Sequence, residues 1–312
     1  MTTAATDPAA LTTLGKRLLV GDGVRQAPQE AVECLSRAAA LGSGEAAAHL
    51  ALFAGWGVLR PRNMEEALDH LQRAAELGWA PSQRELQFLA RGAGNDWRAL
   101  RRQVSLAQWS RFPVPRVVSQ SPAICVLEGF ASPAECDWLI ERGRHGLGRA
   151  MVYRRDAAGV ARDGTRTNSE VGFTVVNSDL VVCLMRTRMA EAMGMATQYF
   201  EITKLLHYTP GQEFALHSDF LDTSAPAIAR DVEQYGQRVM TFLTSLNDDY
   251  DGGETDFPRI GYRYKGRRGD ALLFKNLDAA GAPDYNTVHA GTPPTRGEKW
   301  LLSQWVRTRP VS

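Results

Sequence analysis

The sequence predicts an α+β chain in two parts: a short α-helical repeat block, then a strand-rich barrel or two-sheet jelly roll. Three observations predict it. A motif recurs at an offset of 36 residues within the first hundred. From Glu201 onward, short strand-like runs follow one another, broken by Pro-Gly, Asp-Gly-Gly and Arg-Gly turns. The chain has 312 residues, 44% hydrophobic and 23% charged, the balance of a globular protein long enough for two cores.

In the repeat block, Ala31-Val32-Glu33-Cys34-Leu35-Ser36-Arg37-Ala38-Ala39-Ala40-Leu41-Gly42 returns as Ala67-Leu68-Asp69-His70-Leu71-Gln72-Arg73-Ala74-Ala75-Glu76-Leu77-Gly78. Small residues where helices cross and Gly at helix ends are the marks of stacked helical hairpins. About two and a half such units fit residues 8–92, and an unrelated small helical bundle is the alternative. His49 and His70 fall inside these helices and read as surface or interhelix residues. A basic helix and the Pro113-Val114-Pro115 break follow, which puts the boundary between domains at 105/106.

The second part opens with a strand at Ile124-Cys125-Val126-Leu127. Ser132-Pro133-Ala134-Glu135 then carries a capping box, with Pro at the first helical position. A helix around 178–197 has Val181, Leu184, Met185 and Met189 on one stripe, which is core spacing. Strands are expected over Ile202–Tyr208, Glu213–Asp219, Val239–Asn247, Asp270–Phe274 and Trp300–Arg307, and a run of strands with few helices suits a barrel or jelly roll.

Composition narrows the function classes. A net charge of +1 gives no reason to expect nucleic acid or an acidic membrane surface as partner. The N-terminus lacks a basic start and an apolar run, and no stretch approaches the length of a membrane span. Cys34, Cys125, Cys136 and Cys183 show no paired spacing, which fits a reducing compartment; the expected location is the cytoplasm.

One triplet carries chemistry. His217-Ser218-Asp219 would put an imidazole and a carboxylate on one face of a strand. A hydrogen-bonded His–Asp pair and a pair of metal ligands are both open readings of it. His289 could complete a two-histidine, one-carboxylate triad, a set suited to non-haem Fe(II) because it leaves positions open for substrate and dioxygen. Ten residues further on, Lys299 could hold the far carboxylate of a bound 2-oxoglutarate.

Residues 117–309 resemble the catalytic domain of the prolyl 4-hydroxylase family of Fe(II)/2-oxoglutarate dioxygenases. The resemblance rests on Tyr208-Thr209-Pro210-Gly211-Gln212 ahead of His217 and Asp219, and on Gln237-Arg238-Val239-Met240-Thr241 with Gly252-Gly253-Glu254. It continues through Gly269-Asp270-Ala271-Leu272-Leu273-Phe274, His289-Ala290-Gly291 and Gly297-Glu298-Lys299-Trp300, with Trp305 closing the strand. The repeats resemble tetratricopeptide-related SEL-like repeats.

The resemblance implies a double-stranded β-helix (jelly roll) over 106–312, behind a repeat domain over 1–105. It implies iron on His217, Asp219 and His289, and 2-oxoglutarate on Lys299 and Tyr208. Arg166, in Arg166-Thr167-Asn168-Ser169, matches an arginine reaching toward substrate, with a plain surface arginine as the other reading. The implied reaction hydroxylates a prolyl residue of a peptide or protein, consumes O2 and 2-oxoglutarate, releases succinate and CO2, and uses ascorbate as reductant. The alternative is a free amino acid or other small molecule. The repeats offer a surface for a protein partner. Specificity is expected from loops 150–170 and 220–236, and a fragment beginning near Val114 is expected to be soluble.

Overall fold

The computed structural model describes residues 7–153, 160–161 and 164–311. The chain divides into two compact units: Met1–Arg111 with Thr174–Thr187, and Phe112–Phe173 with Arg188–Ser312. A single cut after residue 105 therefore does not describe it. Residues 106–111 stay with the first unit because buried Trp109 packs at a tilt against Phe88, with ring centroids 6.0 Å apart, and donates its indole N–H to the Leu89 carbonyl.

In the first unit, helices Pro8–Val20, Pro28–Ala40, Gly44–Trp56, Met64–Glu76 and Ala80–Ala90 follow in series. The 36-residue period is a packing period. Ala31, Leu35 and Ala38 are buried, and so are their counterparts Ala67, Leu71 and Ala74. Gly42 and Gly78 each end a helix at φ +97° and +83°, with open space where a Cβ would stand. There the glycine serves the left-handed backbone, which lets Ser43 and Trp79 donate back to the carbonyls of Ala38 and Ala74. Gly15 serves proximity instead, since a Cβ on it would lie 2.7 Å from Leu35. The Ala80–Ala90 helix starts 36 residues after Gly44–Trp56 and supplies the half unit.

The expected 178–197 helix spans Leu180–Met193. Its predicted stripe is buried, but Val182, Cys183 and Ala190 are buried as well, so apolar cover extends beyond one face. Its first turns belong to the first unit: Leu180 donates its N–H to Glu85, Arg62 bonds Thr187, and Leu180 and Cys183 crowd Gly55.

The second unit is built on two antiparallel sheets. Among the described residues the larger has eight strands, in the order Arg116–Gln120, Ala123–Leu127, Ala271–Lys275, Arg238–Ser245, Lys299–Arg307, Thr203–Tyr208, Ser169–Phe173 and Gly148–Arg149. The smaller has four: Tyr262–Tyr264, Thr255–Phe257, His289–Gly291 and Phe214–His217. They form the two-sheet jelly roll that the run of strands suits, the double-stranded β-helix that the resemblance implies. Ile124, Val126, Leu243, Leu272 and Phe274 of the larger sheet pack with Phe257 of the smaller. The Pro133–Gly143 helix carries the predicted capping box, Ser132 and Glu135 each accepting the other's backbone N–H. Among the described residues, no helix is long and apolar enough to cross a membrane.

Candidate metal centre and co-substrate cleft

Register brings the site together. In the smaller sheet His289 lies opposite His217, and in the larger Lys299 lies opposite Tyr208. The strand carrying His217 ends there, so Asp219 sits in the turn beyond it, and its carboxylate still returns to the imidazole. Asp219 Oδ1 is 3.6 Å from His217 Nε2, and Oδ2 is 3.8 Å from His289 Nε2. The three ligand atoms lie within 4.8 Å of one another, the one such group among the described residues. His49 and His70 take no part.

The protons are placed to leave lone pairs facing inward. Nδ1 of His217 donates to the Ala215 carbonyl at 2.8 Å, and Nδ1 of His289 to the Thr287 carbonyl at 2.9 Å. In a neutral ring this leaves Nε2 unprotonated. Burial, with His217 alongside, holds the His289 imidazole down to about 4. Burial by itself would raise Asp219; a positive charge on the imidazoles, His289 foremost, together with the Thr241 hydroxyl at 2.6 Å, overcomes this and holds it well below the usual carboxylate range, so the carboxylate favours a cation beside it. Thr241 in turn accepts from Asn276. Two nitrogen lone pairs crowded on a buried carboxylate repel one another unless a cation lies between them. The donor set therefore fits a divalent metal, and two nitrogens with one carboxylate suit Fe(II).

The cleft beside the triad holds about 390 Å³ of free space, counted out into its mouth. Lys299, Leu301, Ser303 and Trp305 all line it, which is the two-residue alternation of one strand. Among the described residues no acceptor pairs with Lys299, which is 2% exposed, and burial pushes its ammonium down to about 8. Tyr208, also buried, is pushed up to about 12, so its hydroxyl remains a hydrogen-bond donor at neutral pH. His207 turns away as its place on the strand requires, stacking on Trp300 and facing Glu298. Asp222 caps the Ser224 N–H, and Asp270 accepts from Gly129 and Arg267; neither joins the site.

Arg166 borders the cleft, but its guanidinium is engaged inside the fold by Asn168, Met151 and Glu170. Part of the 150–170 loop lies outside the described residues. Phe214, Leu301, Ser303 and Trp305 were not singled out as cleft residues from the sequence. Counting by twos from Lys299 finds the last three, whereas Phe214 sits out of phase with His217.

These features define a class of protein, the Fe(II)/2-oxoglutarate oxygenases. Residues 203–307 match the 2OG-Fe(II) oxygenase superfamily, and residues 8–43 and 44–79 match the Sel1 repeat. Among curated proteins, prolyl 4-hydroxylase 1 of Arabidopsis thaliana is 32% identical over 213 residues, 64% of this chain and 73% of that one. Probable prolyl 4-hydroxylase 7 of the same plant is 30% identical over 210 residues, 62% of this chain and 65% of that one. A solved viral collagen prolyl hydroxylase from Paramecium bursaria Chlorella virus-1, in its 2OG complex, is 25% identical, covering 59% of this chain and 94% of that chain with a TM-score of 0.45. The chain belongs to the prolyl 4-hydroxylase family of 2OG-Fe(II) oxygenases, with Sel1 repeats at its N-terminal end.

Proposed function

We propose that the protein hydroxylates prolyl residues in a peptide or protein, consuming 2-oxoglutarate and O2 and releasing succinate and CO2. His217, Asp219 and His289 would hold Fe(II), Lys299 the distal carboxylate of 2-oxoglutarate, and Tyr208 would donate a hydrogen bond to the same co-substrate. Bound ferrous iron supplies the activation of O2 by which 2-oxoglutarate is decarboxylated and a C–H bond hydroxylated.

The chain's own residues set the conditions for that chemistry. Lys299 and Tyr208 orient the co-substrate from the larger sheet while the triad approaches from the smaller, so one end of a small diacid faces the metal ligands. The apolar walls, Leu206, Leu243 and Leu301, exclude water from the reacting centre. The observation that carries the reading is a buried ammonium with no acceptor among the described residues, in the same cleft as a triad whose lone pairs converge.

Ascorbate is the proposed reductant and the cytoplasm the proposed location; four free cysteines agree with a reducing compartment. The Sel1 repeats are proposed to recruit a protein substrate.

Mass spectrometry of proline-containing peptides and of free amino acids, after incubation with Fe(II), ascorbate and 2-oxoglutarate, tests the proposal. One added oxygen on a peptidyl proline is the expected result, and oxidation of free amino acids alone would refute the peptide substrate. Replacing His217, Asp219 or His289 with Ala is expected to abolish iron binding and succinate formation while the fold survives, because the site lies on an already formed sheet pair. Normal turnover in any of the three would end the triad assignment.

A further inference from the structure

The strand that ends in His217 is out of step with its neighbour. His289 faces His217 and Gly291 faces Phe214, so three steps on one strand match two on the other. Plain alternation would send Phe214 and His217 to opposite faces of the sheet. The extra residue is a β-bulge, and it turns both rings into the cleft. There the Phe214 ring stacks on the His217 imidazole, with centroids 3.4 Å apart and planes within 10°.

Arg166 covers the same phenyl ring with its guanidinium carbon 4.6 Å from the centroid, and its backbone is bridged to that of Phe214. The arginine is 2% exposed. Its Nε donates to Asn168 at 3.1 Å, Nη1 to the Met151 carbonyl at 3.2 Å and Nη2 to Glu170 at 2.7 Å. Glu170 also accepts from Lys204 at 2.6 Å. An arginine held on three sides by its own fold acts through what it covers.

The two histidines differ in what holds them. His289 is enclosed by Phe257 and Phe274, at 5.3 and 5.0 Å. The His217 side chain is more open, 17% exposed against 5%, and one hydrogen bond from Nδ1 leaves its ring free to tilt about that axis. A flat surface against its face removes this freedom. We propose that Phe214, clamped by Arg166, is a positioning residue that fixes the plane of the His217 imidazole so that Nε2 points at the metal position. This deepens the metal-site reading and rests on His217 being a ligand.

Cobalt(II) titration of the metal-free full chain, without 2-oxoglutarate, tests it by affinity and by the visible absorption of the bound ion. Phe214→Leu and Phe214→Met remove the flat face at similar bulk; each is expected to weaken cobalt binding about tenfold or more and to alter the spectrum, the range for residues supporting a ligating histidine. Phe214→Tyr is expected to preserve both readouts. Arg166→Met is expected to shift them in the same direction as Phe214→Leu, by less.

His217→Ala separates this proposal from the reading beneath it. If His217→Ala abolishes cobalt binding while folded Phe214→Leu and Phe214→Met bind with wild-type affinity and spectrum, the positioning role is overturned. If His217→Ala binds cobalt normally, the triad itself falls.

Discussion

The proposed contact between Lys299 and 2-oxoglutarate can be read from the titration of the lysine. Burial pushes the ammonium down to about 8, only partly opposed by the charge of Glu254. To pair with a carboxylate the lysine must be protonated. Below pH 8 it already is, whereas above pH 8 co-substrate binding has to take up a proton. The apparent KM for 2-oxoglutarate is therefore expected to stay flat up to about pH 8 and then rise, approaching tenfold per pH unit. Steady-state kinetics between pH 6.5 and 9.5 would show this, and Lys299→Met should remove the pH dependence. The same substitution is expected to raise KM about ten- to a hundredfold with iron still bound, the effect of losing a charge-assisted hydrogen bond. An unchanged KM in Lys299→Met would assign the carboxylate to another cation.

At the scale of elements, the Pro133–Gly143 helix is tied down at its start. Glu135 closes the capping box and receives both Nη atoms of Arg188, at 3.0 and 2.8 Å, with both side chains almost fully buried. Burial would raise the Glu135 carboxyl, but the bonds from Arg188 and Ser132 outweigh it and lower its pKa. Glu135→Gln removes the carboxylate charge that faces Arg188 in a dry site, leaving it the Phe130 carbonyl and a neutral amide, and is expected to cost about 3–5 kcal/mol. A carboxyl with a depressed folded pKa stabilises above its unfolded value and loses that contribution as pH falls. Thermal melts of wild type and Glu135→Gln should thus converge as pH drops below about 4.5 and stay well apart at pH 7. That capping box was legible in four letters, as were the strands whose apolar runs lie on the larger sheet. The short strands Thr255–Phe257 and His289–Gly291 were not, since three residues hold too little periodicity to read. The Pro226–Tyr235 helix was also missed, although Pro226 at its start and Ile228 and Val232 one turn apart offered a signal. The three candidate ligands, which the structure brings within 4.8 Å of one another, could be named from residue type and order. The stack of Phe214 on His217 was not, because a bulge is a property of two strands together and neither strand's own pattern contains it.

On the scale of the whole molecule, the division into units changes what truncation should do. Residues 174–187 belong with the repeats, and within them Leu180, Val181, Val182, Cys183, Leu184 and Met185 are buried. A fragment beginning at Phe112 keeps this segment and discards the helices it packs on. The expected outcome is therefore aggregation through newly exposed apolar surface, in place of the soluble fragment that the Pro113–Pro115 break suggested. Size-exclusion chromatography of fragment and full chain decides it. A monodisperse fragment that still releases succinate without peptide would show that the second unit stands alone. If that fragment also turned over a protein substrate fully, recruitment by the repeats would be ruled out.

The same return of chain has a consequence for the order in which the protein is made. Translation delivers Arg111 first and Thr174 about sixty residues later. At roughly 5–20 residues per second, the repeats leave the ribosome seconds before the segment that completes them is synthesised. During that interval Gly55 and Glu85 lack the groups they later meet, and the nascent repeat block presents a greasy seat awaiting its own downstream sequence. Maturation of the N-terminal unit is thereby timed by elongation through the oxygenase half, and a ribosome stalled before residue 174 would hold a chain that chaperones bind.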